Sequence, residues 1–416
     1  MLDFTQHRLD NGLTVLHHRD GATRMVAVNL LYNVGSSDEH QPLTGIAHLL
    51  EHLMFTGSAH VPSYDQALQA AGGESNAWTS VDATNYYDVL PAVNLETALW
   101  LESDRLMSLT LSDQSIATQK SVVIEEFKQR CLNMPYGDLN HLVCELAYQE
   151  HPYRWPAIGR RVADIDSATA DDVRQFHQEH YAVGNAVLCI SGNVELDVAL
   201  DGAKRWFGDI PAKLLTPRRH PCEPEQCQER LLEVSRDVPQ TIITRAYHMP
   251  GRASHSFAAC DILSDVLSNG KSARFYQNAV LPTDLFTELD ASVSGTLDPG
   301  LFFIRAKLAP GATVEQAQEV IDTELQRLLT DGVRQYELEK FVNKHIAADR
   351  FESLGYLQQA MRLCMYHQLG NVEWVNTEEQ HYRCLTTDDI LEAAHSVLQP
   401  HNCSTVIYRS NIKGTL

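Results

Sequence analysis

Two histidines and a glutamate within five residues, His48-Leu49-Leu50-Glu51-His52, are the group in this chain best suited to chemistry. Residues four apart on a helix share a face, so the imidazoles of His48 and His52 converge on one point. Neutral imidazole nitrogen serves zinc well. Glu51 follows His48 by three residues and lies at the edge of the same face, where it reaches a water on the metal without displacing a ligand. Ile46, Leu49, Leu50, Leu53, Met54 and Phe55 surround this polar stripe. Imidazole and carboxylate groups bordered by core residues need partners. The competing readings are a helix that merely carries two surface histidines and a buried His–Glu hydrogen-bond network without metal.

A catalytic zinc typically keeps three protein ligands and one open position, so a third ligand must come from elsewhere. The candidate segment is Gln119-Lys120-Ser121-Val122-Val123-Ile124-Glu125-Glu126-Phe127. Helical spacing lines up Gln119, Val122/Val123, Glu126 and Arg130, with Glu125 about 100° round from Glu126. Acidic pairs on helices are usually solvated, so spacing alone only ranks Glu126 above Glu125. The order His-x-x-Glu-His is the inverted form of the better known metallopeptidase helix motif. No serine or cysteine sits in a nucleophile motif, and nothing suggests a covalent intermediate.

The elements that must position these groups are legible in outline. Asn11-Gly12 reads as a hairpin turn before a strand at Leu13–Leu16, and Met25–Tyr32 reads as a second strand. The metal-binding pattern predicts a helix from about Thr44 to Phe55, ending near Gly57. Further helices are predicted at about Ser63–Ala71, Leu95–Ser108 and Ser112–Cys131. Pro211, Pro217, Pro221 and Pro224 among charged residues mark a linker, after which Gln240–Tyr247 and Phe257–Leu267 resume strand and helix patterns. The two halves look duplicated. Thr169-Ala170-Asp171-Asp172-Val173 leads to Asn185 and the strand Ala186–Ser191; Thr386-Thr387-Asp388-Asp389-Ile390 leads, at the same spacing, to Asn402 and the strand Cys403–Tyr408. Each threonine is a candidate helix N-cap, and the matched register points to an internal repeat. The expected architecture is α+β: two similar, duplicated α/β sandwich domains, each a mostly antiparallel sheet packed with helices. The expected spans are 1–212 for the metal-bearing domain, 213–232 for the linker and 233–416 for a homologous domain without metal.

Composition narrows the partners. A chain of 416 residues exceeds one ordinary core. Its formal charge of −21 argues against nucleic acid or an anionic membrane surface as partner. Nine scattered cysteines with no Cys-x-x-Cys pair fit reduced thiols. With no secretory signal pattern and no long apolar run, the expected location is cytoplasmic.

The HLLEH segment, with a glutamate 74 residues after its second histidine, resembles the pitrilysin/insulinase family, which includes the mitochondrial processing peptidases. The resemblance extends to the glycine-led segment Gly72–Tyr87, to His151-Pro152-Tyr153 and Ile158-Gly159, and to Tyr181, Asn185 and Gly192-Asn193. It implies zinc on His48, His52 and Glu126, with Glu51 as general base. It also implies that substrate is held as an added β-strand at Asn76 and Ala77, consistent with an edge strand reading peptide backbone. Two positions depart from the family pattern. Gln119 stands where a supporting glutamate is common, and an amide hydrogen-bonds without adding negative charge. Val280 and Thr287 stand where active members carry a substrate-gripping arginine and tyrosine; Arg274 and Tyr276 are read as structural. Opposite HLLEH, the second half has Asp261-Ile262-Leu263-Ser264-Asp265.

The resemblance therefore implies a zinc-dependent endopeptidase acting on short or unfolded peptides through a zinc-activated water. The chain has about half the length of fused family members, which implies a dimer. A related zinc-less subunit carrying the Arg/Tyr pair is the preferred partner, and a homodimer is second. The alternative is a non-catalytic or partner-dependent scaffold subunit of a processing-peptidase-like complex.

Overall fold

The computed structural model describes residues 1–215 and 217–411. Thr216, inside the expected linker, and 412–416, at the end of the second expected span, lie outside the described residues. Among the described residues, eleven strands form two sheets: β1 (Thr5–Arg8), β2 (Thr14–Arg19), β3 (Met25–Tyr32), β4 (Glu74–Thr79), β5 (Thr84–Pro91) and β6 (Ala186–Gly192) in one, and β7 (Arg230–Arg236), β8 (Ile242–Met249), β9 (Phe286–Val293), β10 (Gly300–Leu308) and β11 (Cys403–Ser410) in the other. The orders are β1-β2-β6-β3-β5-β4 and β7-β11-β8-β10-β9. Setting β1 aside, both follow one rule: first, fifth, second, fourth, third strand in chain order. In each, the first and fifth strands pair in parallel and the other pairs are antiparallel.

The repeat extends to individual hydrogen bonds. Thr169 and Thr386 each cap a helix through the N–H of Asp172 and Asp389, and those aspartates accept the threonine N–H in return. Asn185 Nδ2 donates to His180 O at 2.8 Å and to Asn33 O at 3.2 Å. Asn402 Nδ2 donates to Val397 O and His248 O, both at 2.9 Å. Each asparagine thus closes the turn before its strand and pins the next strand of the sheet. The fold is the expected pair of similar α/β sandwiches.

The chain forms two compact units that differ from the contiguous spans 1–212 and 233–416. The first comprises Met1–Gln129, Trp155–Pro221 and Arg350–Asn376; the second comprises Arg130–Arg154, Cys222–Asp349 and Thr377–Leu416. The physical reason is that both faces of each sheet need covering. β3 is apolar along nearly its whole length because it is buried on both sides. Helices Leu95–Ser108 and Leu196–Phe207 cover one face of the first sheet, and helix Tyr356–Gln368, from the far half of the sequence, covers the other. Leu363 and Cys364 of that helix close a core with Ala27, Leu31, Val187 and Cys189. In the second unit, helix Leu139–Ala147 covers β7, β11 and β8 in the same way. The linker is also shorter than 213–232, because Arg230, Leu231 and Leu232 already pair with β11. All nine cysteines are unbridged. Among the described residues, no helix is long and apolar enough to cross a membrane.

A buried polar network stiffens the first unit beside the metal-motif helix. Arg105, 2% exposed, grips both oxygens of the fully buried Glu102, with its Nε 2.9 Å from Oε2. Its guanidinium lies 4.5 Å from the Tyr64 ring, 4.4 Å from Tyr86 and 5.3 Å from Phe55. Tyr64 donates to Asp88 at 2.8 Å, and burial holds the Asp88 carboxyl well above the usual range. Removing one member of a buried ion pair leaves the other uncompensated. Arg105→Met should cost about 3–5 kcal/mol, read by urea unfolding of the full chain. Adding Glu102→Met should recover most of that loss. A single variant as stable as the double would show that the charge pairing is not what matters.

Candidate metal centre

The motif forms helix Ile46–Leu53, shorter at both ends than predicted. Ile46, Ala47, Leu49, Leu50 and Leu53 are buried, whereas His48, Glu51 and His52 are half-buried. The polar stripe thus opens outward while the rest of the helix anchors in core. The helix start is held by Glu39, which is 2% exposed. One of its carboxylate oxygens accepts the Gly45 N–H and the other the Ala47 N–H, both at 2.9 Å. Oxygen acceptors at a helix N-terminus satisfy otherwise orphaned N–H donors. Gly45, at φ +94°, and Gly159, at φ +97°, meet backbone to backbone; a Cβ on Gly159 would lie 3.1 Å from Gly45 Cα. Thr44 donates to Asp164 at 2.9 Å and accepts the Arg160 N–H at 2.8 Å. The Ile158-Gly159 segment singled out in the sequence is therefore the seat of the helix.

Burial pushes the Glu39 carboxyl from 4.5 up to about 8, against the pull of its two amide hydrogen bonds. The folded chain then holds a proton that the unfolded chain releases across that window. This contribution to stability is complete below about pH 4.5 and is lost as pH rises through about 8. Glu39→Gln should flatten the decline, measured as the difference in urea midpoint between about pH 5 and about pH 9. An equally steep decline in the variant would remove Glu39 as its source.

The third candidate ligand arrives on helix Asp113–Phe127, started by the Ser112 cap and prolonged by one π-turn through Leu132. This helix packs on the metal-motif helix, and Val123 and Phe127, both buried, set its rotation. Glu126 consequently faces the histidines: its Oε2 lies 3.8 Å from His48 Nε2 and 3.3 Å from His52 Nε2. Glu125 is exposed and paired with Lys128 at 2.6 Å. Gln119 is half-buried, two turns before Glu126 on the same helix.

One ligand atom from each of His48, His52 and Glu126 lies within 4.8 Å of the others. Ligands at about 2.1 Å around a tetrahedral ion stand about 3.4 Å apart, so the separations from Glu126 suit zinc with little movement. Side-chain exposures of 12%, 26% and 18% leave the site reachable from solvent. Two imidazoles and a carboxylate are a donor set typical of a catalytic zinc with an open position.

Glu51 turns toward β4, where Thr79 Oγ1 donates to its Oε2 at 2.5 Å. Beneath lie the buried phenols of Tyr86 and Tyr181, 3.1 Å apart. Burial, with the Glu51 charge adding to it, pushes Tyr181 up to about 12, so these phenols stay neutral donors near the carboxylate. β4 is an edge strand. Asn76 and Ala77 lie at its middle, and the Asn76 side-chain oxygen accepts the Ala77 N–H at 2.8 Å. The sequence reading missed Thr79, Tyr86 and Glu39. Thr79 could have been found from its even spacing with Ala77 in a strand, which places the two on one face; Glu39 carried no pattern at all.

In the second unit, Arg274 is spent on Glu337, with Nε–Oε1 at 3.0 Å and Nη2–Oε2 at 2.8 Å. Val280 packs against the core, and the Thr287 hydroxyl donates to Lys307 O at 3.2 Å. Asp261, opposite HLLEH in the repeat, accepts the Tyr382 hydroxyl at 2.6 Å.

Comparison with known proteins identifies the family. The family model described as insulinase (peptidase family M16) matches residues 14–159, and the one described as the peptidase M16 inactive domain matches residues 167–344. The zinc protease PqqE of Helicobacter pylori is 28% identical over 409 residues, covering 96% of this chain and 91% of its own. The crystal structure of a protease from Helicobacter pylori matches with a TM-score of 0.92 at 27% identity, covering 98% of this chain and 100% of that one. The periplasmic protease PqqL from Escherichia coli shares the fold, with a TM-score of 0.81 at 17% identity, and 99% of this chain corresponds to 48% of PqqL. With both halves matched in order and the motif helix in place, the chain belongs to the insulinase family, peptidase family M16.

Proposed function

We propose that this chain is a zinc-dependent endopeptidase that hydrolyses short or unfolded peptides. The observation that carries the reading is the convergence of His48, His52 and Glu126, with Glu51 on the same helix bonded to Thr79 of the edge strand β4. The name zinc protease borne by the relative PqqE supports it. A zinc ion there would supply a Lewis acid for the scissile carbonyl and the attacking water.

The remaining work falls to the chain's own residues. His48, His52 and Glu126 would hold the ion. Glu51 takes a proton from the attacking water and passes it to the leaving amine. The peptide adds to β4 as a further strand, so main-chain hydrogen bonds supply affinity without dictating its side chains. The Asn76 amide on the Ala77 N–H is a local partner that an incoming carbonyl displaces. Gln119, two turns from Glu126, tunes the site without adding charge.

Val280 and Thr287 provide neither guanidinium nor phenol to steady the substrate. We therefore infer that a second subunit completes the site, with a related zinc-less chain as first choice and a second copy of this chain as second. The same two positions also favour the alternative of a non-catalytic scaffold subunit.

Metal content and peptide hydrolysis, measured on the full chain alone and with any subunit that co-purifies, separate these readings. Wild type should hold about one zinc per chain. Glu126→Ala should lower zinc occupancy, whereas Glu125→Ala should not. Glu51→Gln should keep the metal and lose at least about 100-fold in turnover. Less than about 0.2 zinc per chain, with no gain on adding zinc, would favour the scaffold. Full activity without any other subunit would dismiss the heterodimer.

A further inference from the structure

We propose that Thr79 is a positioning residue that holds the Glu51 carboxylate through its hydroxyl and so ties the base to the strand that receives the peptide. The inference rests on the peptidase reading above. Its first support is geometry: Thr79 Oγ1 lies 2.5 Å from Glu51 Oε2, and both residues are half-buried. A hydroxyl donating to a carboxylate is a charge-assisted bond, shorter and stronger than a neutral one.

The second support is that the direction of Thr79 is fixed independently of Glu51. Side chains alternate along a strand, and Trp78 packs on the opposite face, against the core closed by Ala360 and Leu363. Its neighbour Thr79 must then point toward the metal-motif helix. Thr79 is also the last residue of β4, opposite Thr84, whose hydroxyl donates to Val34 O at 2.9 Å. The turn beyond is locked by Ser80, which accepts the Asp82 and Ala83 N–H at 3.1 and 3.0 Å. Threonine's branched Cβ restricts the hydroxyl further. The rigid end of β4 thus holds the base, and Ala77, two residues away on the same face, lies where the peptide pairs. One strand sets the distance between scissile bond and base.

The test uses the zinc-loaded full chain with Thr79→Val, which keeps the shape and removes the donor, and Thr79→Ser, which keeps the donor. Losing a hydrogen bond to a charged group corresponds to about a 10- to 100-fold change. Thr79→Val should lose that factor in kcat with KM and zinc content unchanged, and Thr79→Ser should recover to within about 3-fold. A second readout needs no turnover. A short peptide ending in a hydroxamate, whose N–H and O–H face the base, should bind Thr79→Val more weakly by a similar factor. The same peptide ending in a plain amide should bind both forms equally. Wild-type kcat and hydroxamate affinity in Thr79→Val would overturn the proposal and leave the peptidase reading standing, as would a loss explained by lower zinc content. A wild-type chain that neither cleaves peptide nor binds the hydroxamate would overturn the peptidase reading and this proposal with it.

Discussion

The position of one eight-residue helix governs the rest of the site. Ile46–Leu53 is too short to be stable alone, so its place is imposed from outside. Glu39 takes two N–H groups at its start, Gly45 and Gly159 touch at backbone distance, and five apolar residues seat its inner face. His48 and His52 inherit their separation from the helix and their direction from this seat. Glu126 belongs to a different helix, and its distance from the histidines reports how the two helices pack. A tilt of either would open the ligand triangle before any ligand residue changed.

The surroundings of that helix are unusually polar for a core. Arg105, Glu102, Asp88 and Tyr64 are nearly or fully buried, and Arg105 also stacks on Phe55 just beyond the helix end. Such a network adds little net stability compared with apolar packing, because desolvating the charges is costly. Its effect is directional. Hydrogen bonds and ring stacking fix the relative rotation of helix Leu95–Ser108, strand β5 and the loop after the metal-motif helix, where apolar contacts alone would tolerate sliding.

The two units show how one frame carries different chemistry. They share strand order, the parallel first–fifth pair, the Thr–Asp capping box and the asparagine that pins the next strand. The second unit places Asp261 where the first has the His48–His52 motif helix, and that aspartate accepts the Tyr382 hydroxyl. The repeat preserves the backbone scaffold; the side chains on one helix and its packed neighbour decide which copy brings two histidines and a glutamate together.

Much of this was legible in the residues themselves, because it depends on short-range periodicity. The strand Met25–Tyr32 and the helix Leu95–Ser108 have the bounds their patterns predict. The matched Thr-to-Asn spacing announced the duplication, and HLLEH announced two imidazoles on one face. Other features required the tertiary structure. Helical phase ranked Glu126 above Glu125, but only helix–helix packing brings its carboxylate within 3.3 Å of His52. The units exchange 130–154 and 350–376 relative to a simple division of the sequence, because covering a sheet face depends on where a helix lands and not on its place in the chain. Glu39 left no pattern, because it acts on backbone N–H groups six and eight residues on, which no helix or strand period records; strand spacing puts Thr79 on the face of Ala77, but only packing brings it to Glu51, 28 residues away. Residue types and local spacing show which groups can do chemistry and the repeat that carries them; which of them meet follows from the fold, since distances between separate elements are set by packing and not by spacing.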